Sequence, residues 1–206
     1  MTLSSCFLRA RLLALVSSSG MISSVTQCES KEAAFTGSKV PNFGGRWKID
    51  SQRSDDEPIR ELMCEIGTPR YLVNLAMLFP STMKVNQTPD NLLIHEKISQ
   101  AKGLYVHDVK IYTDNREVTG KHPIDRSVIR TRTQWKELKT TDLASNSRQE
   151  HEMCCVSEIK YEKYPEHMQE TIRFLEDDGE TLHVIHHLKM PQKIISAHRF
   201  LTKIVQ

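Results

Sequence analysis

Apolar and polar residues alternate from Gly45 to Ser51, with Trp47 and Ile49 on one side and Arg46, Lys48 and Asp50 on the other. That is the period of a half-buried strand. The period then changes. Asp55-Asp56-Glu57-Pro58 supplies capping oxygens, a first-turn acid and an early proline, and Ile59, Leu62, Met63 and Ile66 follow at helical spacing. Gly67 is placed to end this helix in the left-handed conformation, and Thr68-Pro69 to cap and start a second. The second helix carries Tyr71, Leu72, Leu75, Leu78 and Phe79 on one stripe and stops at Pro80.

Everything after Pro80 reads as strands. Thr82 to Gln87 and Leu92 to Ile98 form a hairpin about the turn Thr88-Pro89-Asp90-Asn91. Gln100 to Gly103 turns the chain into Leu104 to Tyr112, and Thr113-Asp114-Asn115 turns it again into a short strand from Glu117 to Lys121. Ser127 to Leu138 alternates over a long span, setting Ile129, Thr131, Thr133 and Trp135 against Val128, Arg130, Arg132 and Gln134. Lys139 to Arg148 is polar and reads as a long hairpin loop. Glu152 to Tyr164, Gln169 to Glu176, Glu180 to Leu188 and Lys193 to Ile204 complete about ten strands, with Asp178-Gly179 a hairpin signal. Consecutive hairpins of this number fit an all-β, closed, antiparallel up-and-down barrel, which removes the sheet edges. The helical pair, as a helix-turn-helix lid, lies between its first and second strands.

Two regions follow from composition. Residues 1–40 are serine-rich and free of acids before Glu29, and read as an N-terminal extension; residues 41–206 hold the barrel domain. The apolar centre Leu12 to Val16 behind Arg9 and Arg11 fits a secretory signal, a mitochondrial presequence or an untargeted disordered tail alike. The formal net charge of +2 is carried by those two arginines, so nothing in the balance steers the protein toward nucleic acid. Five cysteines without framework spacing indicate a reducing compartment; Cys154 and Cys155, adjacent on a strand, point to opposite faces. No apolar run approaches the roughly 20 residues of a membrane span.

A strand with Gly45-x-Trp47, a helical pair, and then an uninterrupted run of strands resembles the intracellular lipid-binding proteins, the calycin-type family of fatty-acid-binding and cellular retinoid-binding proteins. The family's aromatic-acid pair ahead of the first helix is Ser54-Asp55 here, which marks a divergent member. The resemblance implies a lipocalin-like barrel that binds and transports a long-chain fatty acid or similar hydrophobic ligand without catalysis. It implies a monomeric cytoplasmic protein with no cofactor, for which transient contact with a membrane surface is allowed. The helical stripe Leu62, Met63, Ile66, Leu72, Leu75 and Phe79 would then pack over the barrel mouth.

The last strand carries the candidate chemistry. Arg199 shares a face with Ile195, Ala197 and Leu201, opposite Ser196, His198 and Phe200; taken alone, the residues allow either face to be the inner one. The resemblance implies that the final-strand Arg199 and Arg173, two strands earlier, turn inward to hold a lipid carboxylate, with Leu201 where the family has a tyrosine. Two guanidiniums suit a carboxylate in a site of low dielectric. Arg130 and Arg132 read as an outward basic stripe. His183-x-x-His186-His187 does not place its members together on a strand and has no completing ligand, so no metal site is expected. There is no Gly-x-Ser-x-Gly, no phosphate-cradling glycine loop, and no identifiable base for Cys64 or Cys155. Alternative readings are a secreted lipocalin, a barrel enzyme of isomerase type dependent on Cys155 or a histidine, and an interaction barrel with a filled interior.

Overall fold

The computed structural model describes residues 40–100, 105–137, 153–176 and 179–204. The N-terminal extension before Val40, the turn after Gln100 and the polar loop from Lys139 to Arg148 lie outside the described residues.

Ten strands form one antiparallel sheet: β1 (Gly45–Asp50), β2 (Ser81–Gln87), β3 (Leu93–Gln100), β4 (Tyr105–Tyr112), β5 (Asp114–Lys121), β6 (Val128–Glu137), β7 (Met153–Tyr161), β8 (Met168–Glu176), β9 (Thr181–Met190) and β10 (Lys193–Lys203). Between β1 and β2 stand α1 (Asp56–Glu65) and α2 (Arg70–Met77). The spatial order is β4-β3-β2-β1-β10-β9-β8-β7-β6-β5, so every chain neighbour pairs except β4 with β5, and β1 meets β10. The sheet is curled into a nearly closed barrel. Arg173 on β8 and Glu96 on β3 lie five strands apart in that order, yet their side chains meet at 2.9 Å.

Register fixes the faces, because directly paired residues point the same way. Trp47 pairs with Met83, Ile49 with Leu201, Leu201 with Leu182, and Trp135 with Cys155. These belong to the inner cluster, which also takes in Phe43, Val85, Ile94, Ile111 and Met153. The indole of Trp47 donates to the Phe43 carbonyl at 2.9 Å, so the buried ring keeps no unpaired polar atom. A second buried cluster, Cys154, Val156, Ile172, Phe174 and Ile185, lies on the opposite face of β7, β8 and β9. Cys154 and Cys155 therefore diverge as adjacent strand residues must.

The lid differs from its expected form in two respects. Asp55 stands at the N-cap of α1 but makes no side-chain cap bond; its carboxylate instead accepts from the His198 amide at 2.9 Å. In α2 the expected stripe, Leu72 apart, faces outward. Tyr71 is 71% exposed and Leu78 75%, Leu75 and Phe79 are exposed too, while Val73 is buried and Leu72, Ala76 and Met77 are partly covered. Both faces of this helix are apolar, so spacing alone could not choose between them. In α1, Ile59 and Leu62 are buried as expected, and Leu62 and Ile66 pack with Leu188, Ile195 and Met190. Gly67 ends the helix at φ +95°, a value that only glycine adopts without strain.

One turn is also revised. Only Thr113 separates β4 from β5, and Asp114 already belongs to β5. The polar residues there are accommodated by a register shift between Asp114 and Glu117, with Asn115 at φ +63°.

Candidate functional site

Five strands contribute one row of inward residues: Trp135 pairs with Cys155, Cys155 with Arg173, Arg173 with Val184, and Val184 with Arg199. Both arginines singled out in the sequence therefore face the barrel interior, one on each side of β9. Their environments differ.

Arg173 is internally neutralised. Its side chain is 13% exposed and that of Glu96 8%; Nε lies 2.9 Å from Glu96 Oε1 and Nη2 3.5 Å from Oε2. Nη1 donates to Ser157 Oγ at 3.2 Å, and the Thr133 hydroxyl donates to Ser157 at 2.9 Å. This two-point contact of guanidinium and carboxylate is the geometry in which a buried pair best offsets its desolvation.

Arg199 has no such counter-ion. Among the described residues its only hydrogen bond is from Nη2 to the sulfur of Met77 in α2, at 3.5 Å. Burial pushes its pKa down, opposed by the field of Asp56 in the first turn of α1. Arg199 therefore sits where the lid helices meet the barrel interior. It is an inward cation with unused donors.

Leu201, two residues on, is buried and packs in the inner cluster with Leu182 and Trp47. It gives the site apolar surface and no donor.

Further along the inner wall lies a row of polar, uncharged groups. The Tyr161 hydroxyl donates to Gln169 Oε1, Gln169 Nε2 donates to Thr171 Oγ1 at 3.2 Å, and Thr171 Oγ1 lies 3.2 Å from His186 Nδ1. Burial, with the neighbouring Arg173 and Arg199 adding to it, lowers the His186 pKa to about 3, so the imidazole is neutral at neutral pH. His107 is also lowered, mainly by burial, against the raising fields of Glu96 and Asp108. Burial pushes the Cys155 thiol up to about 12, with Arg173 opposing. It is a thiol at neutral pH, not a nucleophilic thiolate.

The other sequence candidates lie elsewhere. Arg132 faces outward and pairs with Glu117 at 3.2 Å, and Arg130 is exposed. His186 points inward, whereas His183 and His187 share the outer face. His183 Nδ1 lies 2.8 Å from Glu176 Oε1 and its Nε2 3.0 Å from His198 Nδ1; His187 Nδ1 lies 2.9 Å from Ser196 Oγ. No three His, Cys, Asp or Glu side chains converge as a metal site among the described residues.

Glu96 is the residue the sequence reading passed over. The signal was present: in Leu93-Ile94-His95-Glu96-Lys97-Ile98, alternation sets an acid between two isoleucines, as it sets Arg199 between Ala197 and Leu201.

No family model matches the chain, and no curated protein matches it in sequence. Solved structures do share its fold. Lipid binding protein 8 of Caenorhabditis elegans superposes with a TM-score of 0.56 at 17% identity, over 79% of this chain and 95% of the other. A fatty acid transporter, REP1-NXSQ, gives 0.55 at 13% identity, over 79% and 96%. Secretory abundant heat soluble protein 4 of Ramazzottius varieornatus gives 0.54 at 10% identity, over 83% and 100%. At such identities the likeness establishes the fold: the ten-stranded barrel with a helical pair after its first strand.

Proposed function

We propose that the barrel is a non-catalytic carrier that takes a long-chain fatty acid or similar amphipathic lipid into its interior, with the polar head at Arg199. The observation that carries this reading is a half-buried, inward-facing guanidinium with no carboxylate bonded to it. An isolated buried charge is costly, and an incoming carboxylate supplies what it lacks. Met83, Val184, Leu182 and Leu201 offer apolar inner surface for the chain, at about 0.8 kcal/mol per buried methylene before the costs of binding. Two of the structures sharing the fold are named as a lipid binding protein and a fatty acid transporter, which agrees with the reading. Arg173, bonded to Glu96, stands beside the head rather than grasping it. The protonated Cys155 and neutral His186 offer no nucleophile-base pair, which favours a carrier over an enzyme. The thiols of Cys64 and Cys155 favour a reducing compartment such as the cytoplasm, and the reading is of a monomer.

The test is native mass spectrometry of the purified chain for co-purified lipid, followed by titration with a fluorescent fatty acid. Stoichiometric, displaceable binding is expected. Arg199→Gln should weaken it by about tenfold or more, because a charge-assisted contact is lost. Undiminished affinity in that variant would remove Arg199 from the site.

A further inference from the structure

We propose that Glu96 sets the charge of the ligand: by neutralising Arg173 inside the barrel, it makes the interior accept an amphipath with one negative charge and reject one with two. This rests on the carrier reading above and deepens it.

The argument is a balance of buried charge. Among the described residues, the charged side chains in the inner rows around Val184 are Glu96, Arg173 and Arg199. Lys203, the last residue of β10, lies beyond these rows with its ammonium over the Trp47 ring. Of the other titratable groups facing the interior, His186 and Cys155 are uncharged at neutral pH, and burial holds the His107 pKa below its ordinary 6.5. The interior therefore carries one positive charge with no carboxylate bonded to it, on Arg199, opposed only by the field of Asp56 in the lid. A singly charged head closes the balance. A neutral head leaves Arg199 unpaired, and a doubly charged head leaves one buried negative charge over, each at a desolvation cost.

Arg173 cannot take up that surplus. Three of its five N–H donors are engaged, by Glu96 and Ser157, and an anion reaching the two that remain would stand against the Glu96 carboxylate or have to displace it. Glu96 acts here as a specificity residue. It touches Arg173, and through it decides whether the interior offers one free cation or two.

The experiment compares three sixteen-carbon probes on the full chain by calorimetric titration: hexadecanol, hexadecanoate, and hexadecyl phosphate, kept doubly ionised at about pH 8. In the unmodified protein hexadecanoate should bind about tenfold or more tightly than either other probe. In Glu96→Gln the amide keeps the shape but not the charge, Arg173 becomes a second free cation, and hexadecyl phosphate should gain about tenfold or more, overtaking hexadecanoate. Should the variant fail to fold, the ranking in the unmodified protein decides alone. Hexadecyl phosphate or hexadecanol binding as tightly as hexadecanoate overturns the role of Glu96 and leaves the carrier reading standing. So does a folded Glu96→Gln with unchanged phosphate affinity. Binding of none of the three overturns both.

Discussion

At the scale of single residues, the inner wall, Arg199 apart, holds polar groups in forms of low cost: one ion pair, several hydroxyls and a neutral imidazole. His186 shows the consequence for stability. Its pKa falls from an ordinary 6.5 to about 3 on folding, so below 6.5 the unfolded chain takes up a proton that the native protein refuses. The unfolded state then binds more protons, and stability is lost as the pH falls from 6.5 toward 3. His186 alone contributes a slope of up to about 1.4 kcal/mol per pH unit over that window. His107 and His198, also lowered mainly by burial, act in the same direction. Denaturant unfolding of His186→Gln between pH 6 and pH 4 should show a slope shallower than that of the unmodified protein by up to this amount; equal slopes would mean that His186 titrates normally. That both arginines turn inward was implied by the family resemblance; Arg199 interrupts an apolar face, whereas Arg173 stands between Thr171 and Leu175 on a mixed one, and periodicity alone left the faces open. Their difference was not legible, since it depends on Glu96 arriving from a strand more than seventy residues earlier, and one-dimensional periodicity carries no information about which inward residues meet across a barrel.

At the scale of elements, the joint between β1 and α1 shows how a helix signal can serve a sheet. Asp55 was legible as a capping residue, and its position at the N-cap agrees. Its carboxylate, however, accepts from the His198 amide, its own amide donates to the His198 carbonyl at 2.9 Å, and Ser54 Oγ accepts from the Phe200 amide at 3.1 Å. Together they continue the bonding of β10 where β1 has ended at Asp50, and a buried edge needs those partners. Asp55→Ala should cost about 1–3 kcal/mol through the unpaired His198 amide. Amide exchange separates this from a capping loss: the His198 amide should speed up while the first-turn amides of α1 stay unchanged, and the reverse pattern would restore the capping account. The two helices were otherwise legible from Pro58, Gly67 and Pro80. The phase of α2 was not: of the expected stripe only Leu72 is partly covered, and Val73, Ala76 and Met77, equally apolar and at helical spacing, are covered with it. β7 had the same difficulty in strand form. Residues 153–157 are buried without alternation, since Cys155 faces the inner cluster and Cys154 and Val156 the outer one.

At the scale of the whole molecule, short turns made the hairpin order readable, and the order determines that each strand neighbours the next. Closure is a different matter. Strand propensity in Tyr105 to Tyr112 and Asp114 to Lys121 says nothing about whether those two neighbours bond, and among the described residues no ladder joins them. Near Thr113 the junction is held by other means: the Thr113 amide donates to the Leu92 carbonyl at 3.0 Å, the Thr113 hydroxyl donates to the Asn91 carbonyl, and Trp135 Nε1 donates to the same oxygen at 3.1 Å. A seam of unpaired backbone beside a region tied through one asparagine carbonyl should open locally at lower free energy than a strand bonded on both sides. β9, laddered to β8 and to β10 along its whole length, is the opposite case. Hydrogen exchange should therefore find one alternate set of amides in β4 and one in β5 with protection about a hundredfold or more below the amides of β9, while the other set in each strand, bonded to β3 or β6, stays protected. Uniform protection across β4 and β5 would mean that a ladder closes the barrel in solution. The predicted alternation would instead identify the β4–β5 seam as the part of the wall that yields first, opposite the lid-bearing joint of β1 and β10 in the strand order.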